Sequence, residues 1–118
     1  TTIHGLTSEG LFLGGLIIPG YDLVHRSLSS NTAKLSEAEG ELSIFPVSTR
    51  DAITSGAIRA TCKTVESFCD DMELAGYSDV QIVLAGGAAS KLRDGFVRPF
   101  INRDDLIFLG LLKIALSL

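Results

Sequence analysis

The sequence predicts an α/β domain with helices packed on a mixed sheet. Three observations carry that expectation: a hairpin signature at the N-terminus, helical-period apolar patterns alternating with strand-like runs, and a Gly-Gly turn directly after a nearly continuous apolar run. Thr1 to Thr7 (TTIHGLT) and Leu11 to Ile18 (LFLGGLII) flank Ser8, Glu9 and Gly10, the pattern of two antiparallel strands joined by a Gly-containing turn. Pro19 and Gly20 end the second strand. Tyr21 to Leu35 then places Leu23, Val24, Leu28 and Leu35 at roughly helical spacing, which predicts a first helix. Glu41 to Phe45 (ELSIF) reads as a short strand stopped by Pro46, after which Ser48 or Thr49 can cap a second, long helix. Its apolar stripe runs from Ile53 through Ala57, Ala60, Val65, Phe68 and Met72, with Gly76 as its C-terminal stop. Val80 to Ala85 (VQIVLA) has the pattern of a strand covered on both faces and ends in Gly86 and Gly87. A helical turn or short helix over Ala88 to Leu92, a strand over Phe96 to Ile101 and a final apolar helix from Asp104 or Asp105 through Leu116 complete the order.

Composition narrows the function classes. At 118 residues with 46% hydrophobic content, residues 1–118 are expected to form a single domain with its own core. A net charge of -4 and a pI near 5.0 offer no basic field for a nucleic-acid backbone or an anionic membrane surface. The longest apolar run, Leu11 to Pro19, is far short of the ~20 residues that span a bilayer, so neither nucleic acid nor membrane is an expected partner. Thr1 to Gly10 lacks the basic and apolar stretches of a secretory leader, which predicts a cytoplasmic chain. Cys62 and Cys69, two turns apart on one helix face, are too far apart for a disulfide and read as reduced, core-facing thiols.

Three local signatures bear on chemistry, and each has a structural reading beside the functional one. Gly14 and Gly15 sit inside a strand that closes with Pro19 and Gly20; strand glycines mark a bulge or a close approach, by packing or by a ligand. Leu84-Ala85-Gly86-Gly87-Ala88-Ala89 follows a buried strand, where bare backbone can meet a nucleotide, although a tight turn explains Gly-Gly equally well. Ser48-Thr49-Arg50-Asp51 reads by itself as a helix cap. Neither the G-x-G-x-x-G fingerprint nor a G-x-x-x-x-G-K-[ST] phosphate loop is present.

In order and spacing these signatures form a longer pattern: Phe12 to Gly20 (F-x-G-G-x-I-x-P-G), Ala33 to Leu35 (A-K-L), Thr49 to Gly56 (T-x-x-A-I-x-x-G), Val83 to Gly87 (V-L-A-G-G) and Asp105 to Leu111 (D-L-x-x-x-G-L). From about Thr2 to the end the chain resembles the type III pantothenate kinases, including relatives once called Bvg accessory factors. The resemblance implies a ribonuclease H-like half of the actin/Hsp70/sugar kinase superfamily, in which two halves enclose ATP. It implies transfer of the γ-phosphoryl group of ATP to pantothenate, giving 4'-phosphopantothenate for coenzyme A synthesis. A divalent cation such as Mg, a monovalent cation (K or NH4) and a homodimer are implied with it. Residue by residue, Thr49 matches the threonine that contacts pantothenate, Gly86 and Gly87 match the pair beside the adenosine, and Gly14, Gly15 and Gly20 match the motif shaping the cleft floor.

The resemblance also implies that this chain is the C-terminal half only. Family members are about twice this length, as a kinase closing a cleft between two halves must be. The first phosphate loop, the Gly-x-Asp-Arg segment bearing the catalytic base and the Asp-x-Gly-Thr turn are expected ahead of Thr1, so no catalytic residue is assigned here and the N-terminal half is an expected partner. His4 stands where the family usually carries Asp, and Ser48 where Asn is common. Glu37, Glu39 and Glu41 read as a solvated loop, Asp70, Asp71 and Glu73 as the polar side of the long helix, and Asp104 and Asp105 as dipole partners of the last helix. His4 and His25 are too isolated for a metal site. Beside the kinase half stands an alternative of another class, a non-catalytic paralogue or regulatory binding module of the same fold; an unrelated α/β binding domain is a third.

Overall fold

The computed structural model describes residues 1–31 and 39–118, so the Ala33 to Leu35 motif, Glu37 and the expected end of the first helix lie outside the described residues. The hairpin forms as expected: β1 (Thr2–Leu6) pairs antiparallel with β2 (Phe12–Ile17), Gly5 opposite Gly14 and His4 opposite Gly15, with a bulge between Gly5 and Leu6. Its turn is closed by Gly10 N–H to the Thr7 carbonyl at 2.9 Å and Leu11 N–H to Thr7 Oγ1 at 3.0 Å. Ile3 and Gly5 face inward, and a Cβ on Gly5 would stand 2.8 Å from the Phe68 ring, so the missing side chain lets β1 lie on the long helix.

Helix α1 (Tyr21–Asn31) buries Tyr21, His25 and Ser29, one stripe at four-residue spacing. The expected apolar face is thereby corrected, since Leu23 and Leu28 are exposed and Val24 only half-buried. The aromatic ring of Tyr21 and the imidazole of His25 outcompete the leucines for the interior, their ring centroids 5.8 Å apart.

A second correction concerns Glu41 to Phe45, which is not a strand. The segment crosses the first turns of α2 (Thr49–Leu74) as a strap whose backbone bonds to helix side chains. Gly40 N–H donates to Thr54 Oγ1 at 2.8 Å, Glu41 N–H to Asp51 Oδ1 at 2.9 Å and Ser43 N–H to Ser55 Oγ at 2.9 Å, while Arg59 donates to the Ile44 carbonyl at 2.9 Å. Polar helix side chains take the donors a neighbouring strand would have taken.

Ser48 is the N-cap of α2, its Oγ accepting from Asp51 N–H at 3.1 Å, and the helix ends with Tyr77 N–H on the Met72 carbonyl and Gly76 N–H on the Glu73 carbonyl, a Schellman close. Its buried side is Thr54, Ser55, Ala57, Ile58, Thr61, Cys62, Glu66 and Cys69. That stripe is rotated from the expected one and leaves Ala60 exposed. Half of it is polar, which apolar periodicity does not register.

Beyond α2, β3 (Ile82–Leu84) and β4 (Phe100–Asn102) pair in parallel, linked by α3 (Ala89–Leu92) and a 3-10 turn over Arg93–Gly95. The α/β character holds, but the sheet is divided among the described residues into an antiparallel pair and a parallel pair with no ladder between them. Nor is β3 covered on both faces: Ile82 is buried and Val83 is 49% exposed. Glu66 fixes the approach to β4. Its Oε2 accepts Val97 N–H at 2.8 Å and Arg98 N–H at 2.7 Å, and its Oε1 meets Lys63 Nζ at 2.9 Å. Burial opposes the charge, but these donors prevail and hold the carboxyl below the usual carboxylate range. Arg98 in turn bonds to Asp70 and Glu73 on α2, so the acidic side of the helix is an anchor.

The core is a cluster of Tyr21, Ala57, Ile58, Cys62 and Leu92, with Val24, Leu42, Ala88 and Phe96 against it. Helix α4 (Leu106–Ser117) buries none of its residues. Among the described residues no helix is long and apolar enough to cross a membrane.

Candidate functional site

Each predicted site residue has a definite place. Thr49 is the first residue of α2 and is exposed; capping falls to Ser48, so the Thr49 hydroxyl is not needed for it. Gly86 and Gly87 form the turn from β3 into α3, and the Gly86 carbonyl accepts from Ala89 N–H at 3.3 Å. Gly86 has φ +102, a backbone that side chains rarely adopt. Gly87 has no such constraint, and a Cβ on it would meet nothing within 4 Å. The tight turn therefore accounts for Gly86, while Gly87 leaves bare backbone facing open space.

The other glycines divide similarly. A Cβ on Gly15 would stand 2.4 Å from the Ile3 carbonyl, so close strand approach accounts for that residue. Gly14 has φ +140 and open space beside it, and Gly20 lies against Thr1, its Cβ position 3.0 Å from Thr1 Oγ1.

Gly20 leads directly into Tyr21, a member of the core cluster, and Gly87 into Ala88, which packs against it. Leu42 of the strap packs on the same cluster, and the strap is pinned to Asp51, Thr54 and Ser55, within the first two turns after Thr49. The fold thus gathers the Gly20 turn, the Gly86-Gly87 turn and the start of α2 around one core. Gly14 and Gly15 are not gathered there: Gly5, the strand partner of Gly14, lies against Phe68, which at the helical rise is ~28 Å along α2 from Thr49.

Charge at the gathered end centres on Lys91. Its Nζ is 2.7 Å from Glu39 Oε1, 2.9 Å from Asp22 Oδ1 and 4.9 Å from the centroid of the Tyr21 ring. The Glu39 and Asp22 carboxylates raise its pKa above the ordinary lysine value, so it stays charged at neutral pH. Burial, with Glu39 next in effect, raises the Tyr21 phenol, which is hydrogen-bonded to Thr54. Glu39 is thus paired rather than merely solvated, a role no local signal in the sequence discloses. Cys62 donates to the Leu92 carbonyl at 3.3 Å, and burial pushes its thiol up to about 11, as a packed thiol rather than a nucleophile.

Among the described residues no three His, Cys, Asp or Glu side chains come together as a metal site. A shallow pocket of about 140 Å³ lined by Val80, Gln81, Ile82, Pro99, Phe100 and Ile101 lies at the N-terminal ends of β3 and β4, away from the Gly86-Gly87 turn. At the opposite ends, Asn102 pairs in register with Leu84, and its buried Oδ1 has no hydrogen-bond partner. The site therefore offers open backbone at the carboxyl end of a parallel strand pair, a setting suited to nucleotide binding, and an exposed hydroxyl at a helix start.

The model of the type III pantothenate kinase family matches residues 1–71. The chain is 40% identical over 114 residues to a protein of Acidovorax ebreus (strain TPSY) named type III pantothenate kinase, covering 97% of this chain and 44% of that one. Relatives of the same name from Chromobacterium violaceum and Paracidovorax citrulli are 39% and 40% identical, with 97% of this chain and 48% and 45% of theirs covered. The chain spans about half the length of the curated relatives it matches.

Proposed function

The chain belongs to the type III pantothenate kinase family, and from that premise we propose that it is the C-terminal half of an enzyme that phosphorylates pantothenate. The γ-phosphoryl group of ATP passes to the pantothenate hydroxyl, giving 4'-phosphopantothenate for coenzyme A synthesis. The observation that carries this reading is identity of about two residues in five, extending over 97% of the chain, to relatives that bear that name. On this reading the fold is one ribonuclease H-like half, and the partner is the other half that accounts for the greater length of the relatives.

Each part has work in this scheme. The bare backbone at Gly86 and Gly87 receives the adenosine of ATP, and the Thr49 hydroxyl bonds to pantothenate at the start of α2. Gly14, Gly15 and Gly20 line the cleft floor, Gly14 and Gly15 at a distance from Thr49 that only the complete cleft bridges. Phosphoryl transfer also needs a base and neutralisation of phosphate charge. A divalent ion such as Mg, and K or NH4 as monovalent cation, would supply the latter; among the described residues no three His, Cys, Asp or Glu side chains come together around such an ion. The exposed face of α4 is suited to be covered by the other half or by a second copy in a homodimer. The setting is the cytoplasm.

A second reading, a binding module that keeps the fold without the chemistry, draws on His4, whose ring meets Phe12 edge-on at 5.6 Å where the family usually carries Asp. A coupled assay of ADP release by the full-length protein separates the two. Pantothenate-dependent release that is lost in Gly87→Val supports the kinase; ATP binding with no release at any pantothenate concentration supports the module.

A further inference from the structure

We propose that Lys91 is a positioning residue of this site, its ammonium latching the Gly86-Gly87 turn to the Gly20 turn and to the strap that leads into Thr49. The effect on turnover rests on the kinase reading above, whereas the latch rests on the geometry alone. Lys91 lies on α3, the helix that follows the Gly86-Gly87 turn, and Ala88 and Leu92 on either side of it pack into or against the core. From there Nζ reaches Asp22, two residues beyond Gly20, at 2.9 Å and Glu39, at the start of the strap, at 2.7 Å. The next strap residues, Gly40 and Glu41, are bonded to Thr54 and Asp51 on α2. One charge thus joins three segments distant in sequence, two of them carrying glycines of the site and the third leading into Thr49, with the Tyr21 ring beneath it.

Ion pairs this exposed add little to global stability. Their consequence is orientation, because the apolar core fixes how deep α3 sits and the ammonium fixes how its turn meets the strap. Glu39 and Asp22 also hold the Lys91 head over the ring, so the side chain is ordered before any nucleotide arrives.

On the full-length protein, Lys91→Met, which keeps the apolar stem and removes the charge, is expected to raise the KM for ATP by about three- to tenfold with kcat within about twofold and Tm within about 2 °C. Lys91→Arg is expected to restore most of the wild-type KM, since a guanidinium also pairs with both carboxylates and lies over the ring. Hydrogen exchange reads the latch without turnover: in Lys91→Met the amides of Gly40, Glu41 and Ser43 should exchange about threefold faster or more, and those of β1 and β2 at the wild-type rate. If the wild-type protein shows no pantothenate-dependent turnover, the kinase reading falls while the exchange rates still decide the latch. Unchanged exchange over Gly40 to Ser43 overturns the proposal, as does an active enzyme whose KM for ATP is the same with methionine at position 91.

Discussion

Replacing Glu66 tests how the parallel strand pair is held to the long helix. The Glu66 side chain is 10% exposed and accepts two backbone N–H groups, from Val97 and Arg98, on one carboxylate oxygen. Charge-assisted bonds of this kind are worth about 1.5–3 kcal/mol each. Val97 is largely exposed, so water recovers most of its share once the carboxylate is gone, and the Lys63 pair adds little because that lysine is 53% exposed. Glu66→Ala should therefore lower the unfolding free energy by about 3 kcal/mol, and Glu66→Gln, which keeps an acceptor without the charge, by about 1–2 kcal/mol. Urea denaturation of the full-length protein at several pH values supplies the assay. Because the folded pKa of Glu66 lies below its unfolded value of about 4.3, its contribution is complete above that pH and is lost as pH falls through the folded pKa. The gap between wild type and Glu66→Gln should stay constant from pH 8 to about 5 and close on further acidification. A cost below about 0.5 kcal/mol for Glu66→Ala, or a gap that persists unchanged at pH 3, would refute the anchoring role.

Four further outcomes are expected. Ser48→Ala should destabilise by about 1 kcal/mol in thermal unfolding, whereas Thr49→Ala should leave stability within about 0.5 kcal/mol and instead raise the KM for pantothenate; equal stability losses would return Thr49 to a capping role. A Cβ on Gly40 would stand 2.6 Å from both the Arg50 carbonyl and Asp51 Oδ1, so Gly40→Ala should cost about 1–3 kcal/mol and loosen the strap, read by faster exchange of the Ser43 amide. Gly15→Ala should disturb the hairpin where the Ile3 carbonyl sits, while Gly87→Ala should be neutral for Tm and be felt in ATP binding. With its pKa pushed up to about 11 by burial, Cys62 should resist iodoacetamide at pH 7.5 in the folded protein and react readily in urea.

The parts of the fold legible in the sequence are those written in backbone chemistry. Gly10 and Gly76 mark the ends of the hairpin turn and of α2, and Ser48 stands at the cap position ahead of Asp51. What periodicity misplaced are faces whose interior residues are polar. Tyr21, His25 and Ser29 are buried where Leu23 and Leu28 were expected, and Thr54, Ser55, Thr61 and Glu66 form half of the buried side of α2. The ELSIF run looked like a strand because Ile44 and Phe45 have strand propensity, yet Ile44 and Phe45 are exposed and the backbone bonds to Asp51, Thr54 and Ser55 instead. In the candidate site, Gly86 and Gly87 were visible as a turn after an apolar strand and Thr49 as a residue at a helix start. Lys91 was not, since its partners Asp22 and Glu39 are 69 and 52 positions away in the chain and no local pattern pairs them.

The apolar side chains left uncovered follow the same division. Along α4, Leu106, Leu109, Leu112 and Leu116 are all exposed, as are Leu13 and Leu16 on β2. Such surface is more than a small monomer usually leaves open, and it fits a chain that works against another body.

The most direct measurement is detection of 4'-phosphopantothenate by mass spectrometry after the full-length protein is incubated with pantothenate and ATP, in parallel with Thr49→Ala. Product is expected from the wild-type protein at a rate that depends on pantothenate, with the Thr49→Ala rate depressed at low pantothenate and recovering as the substrate is raised. ATP bound without product would contradict it and leave the fold as a binding module.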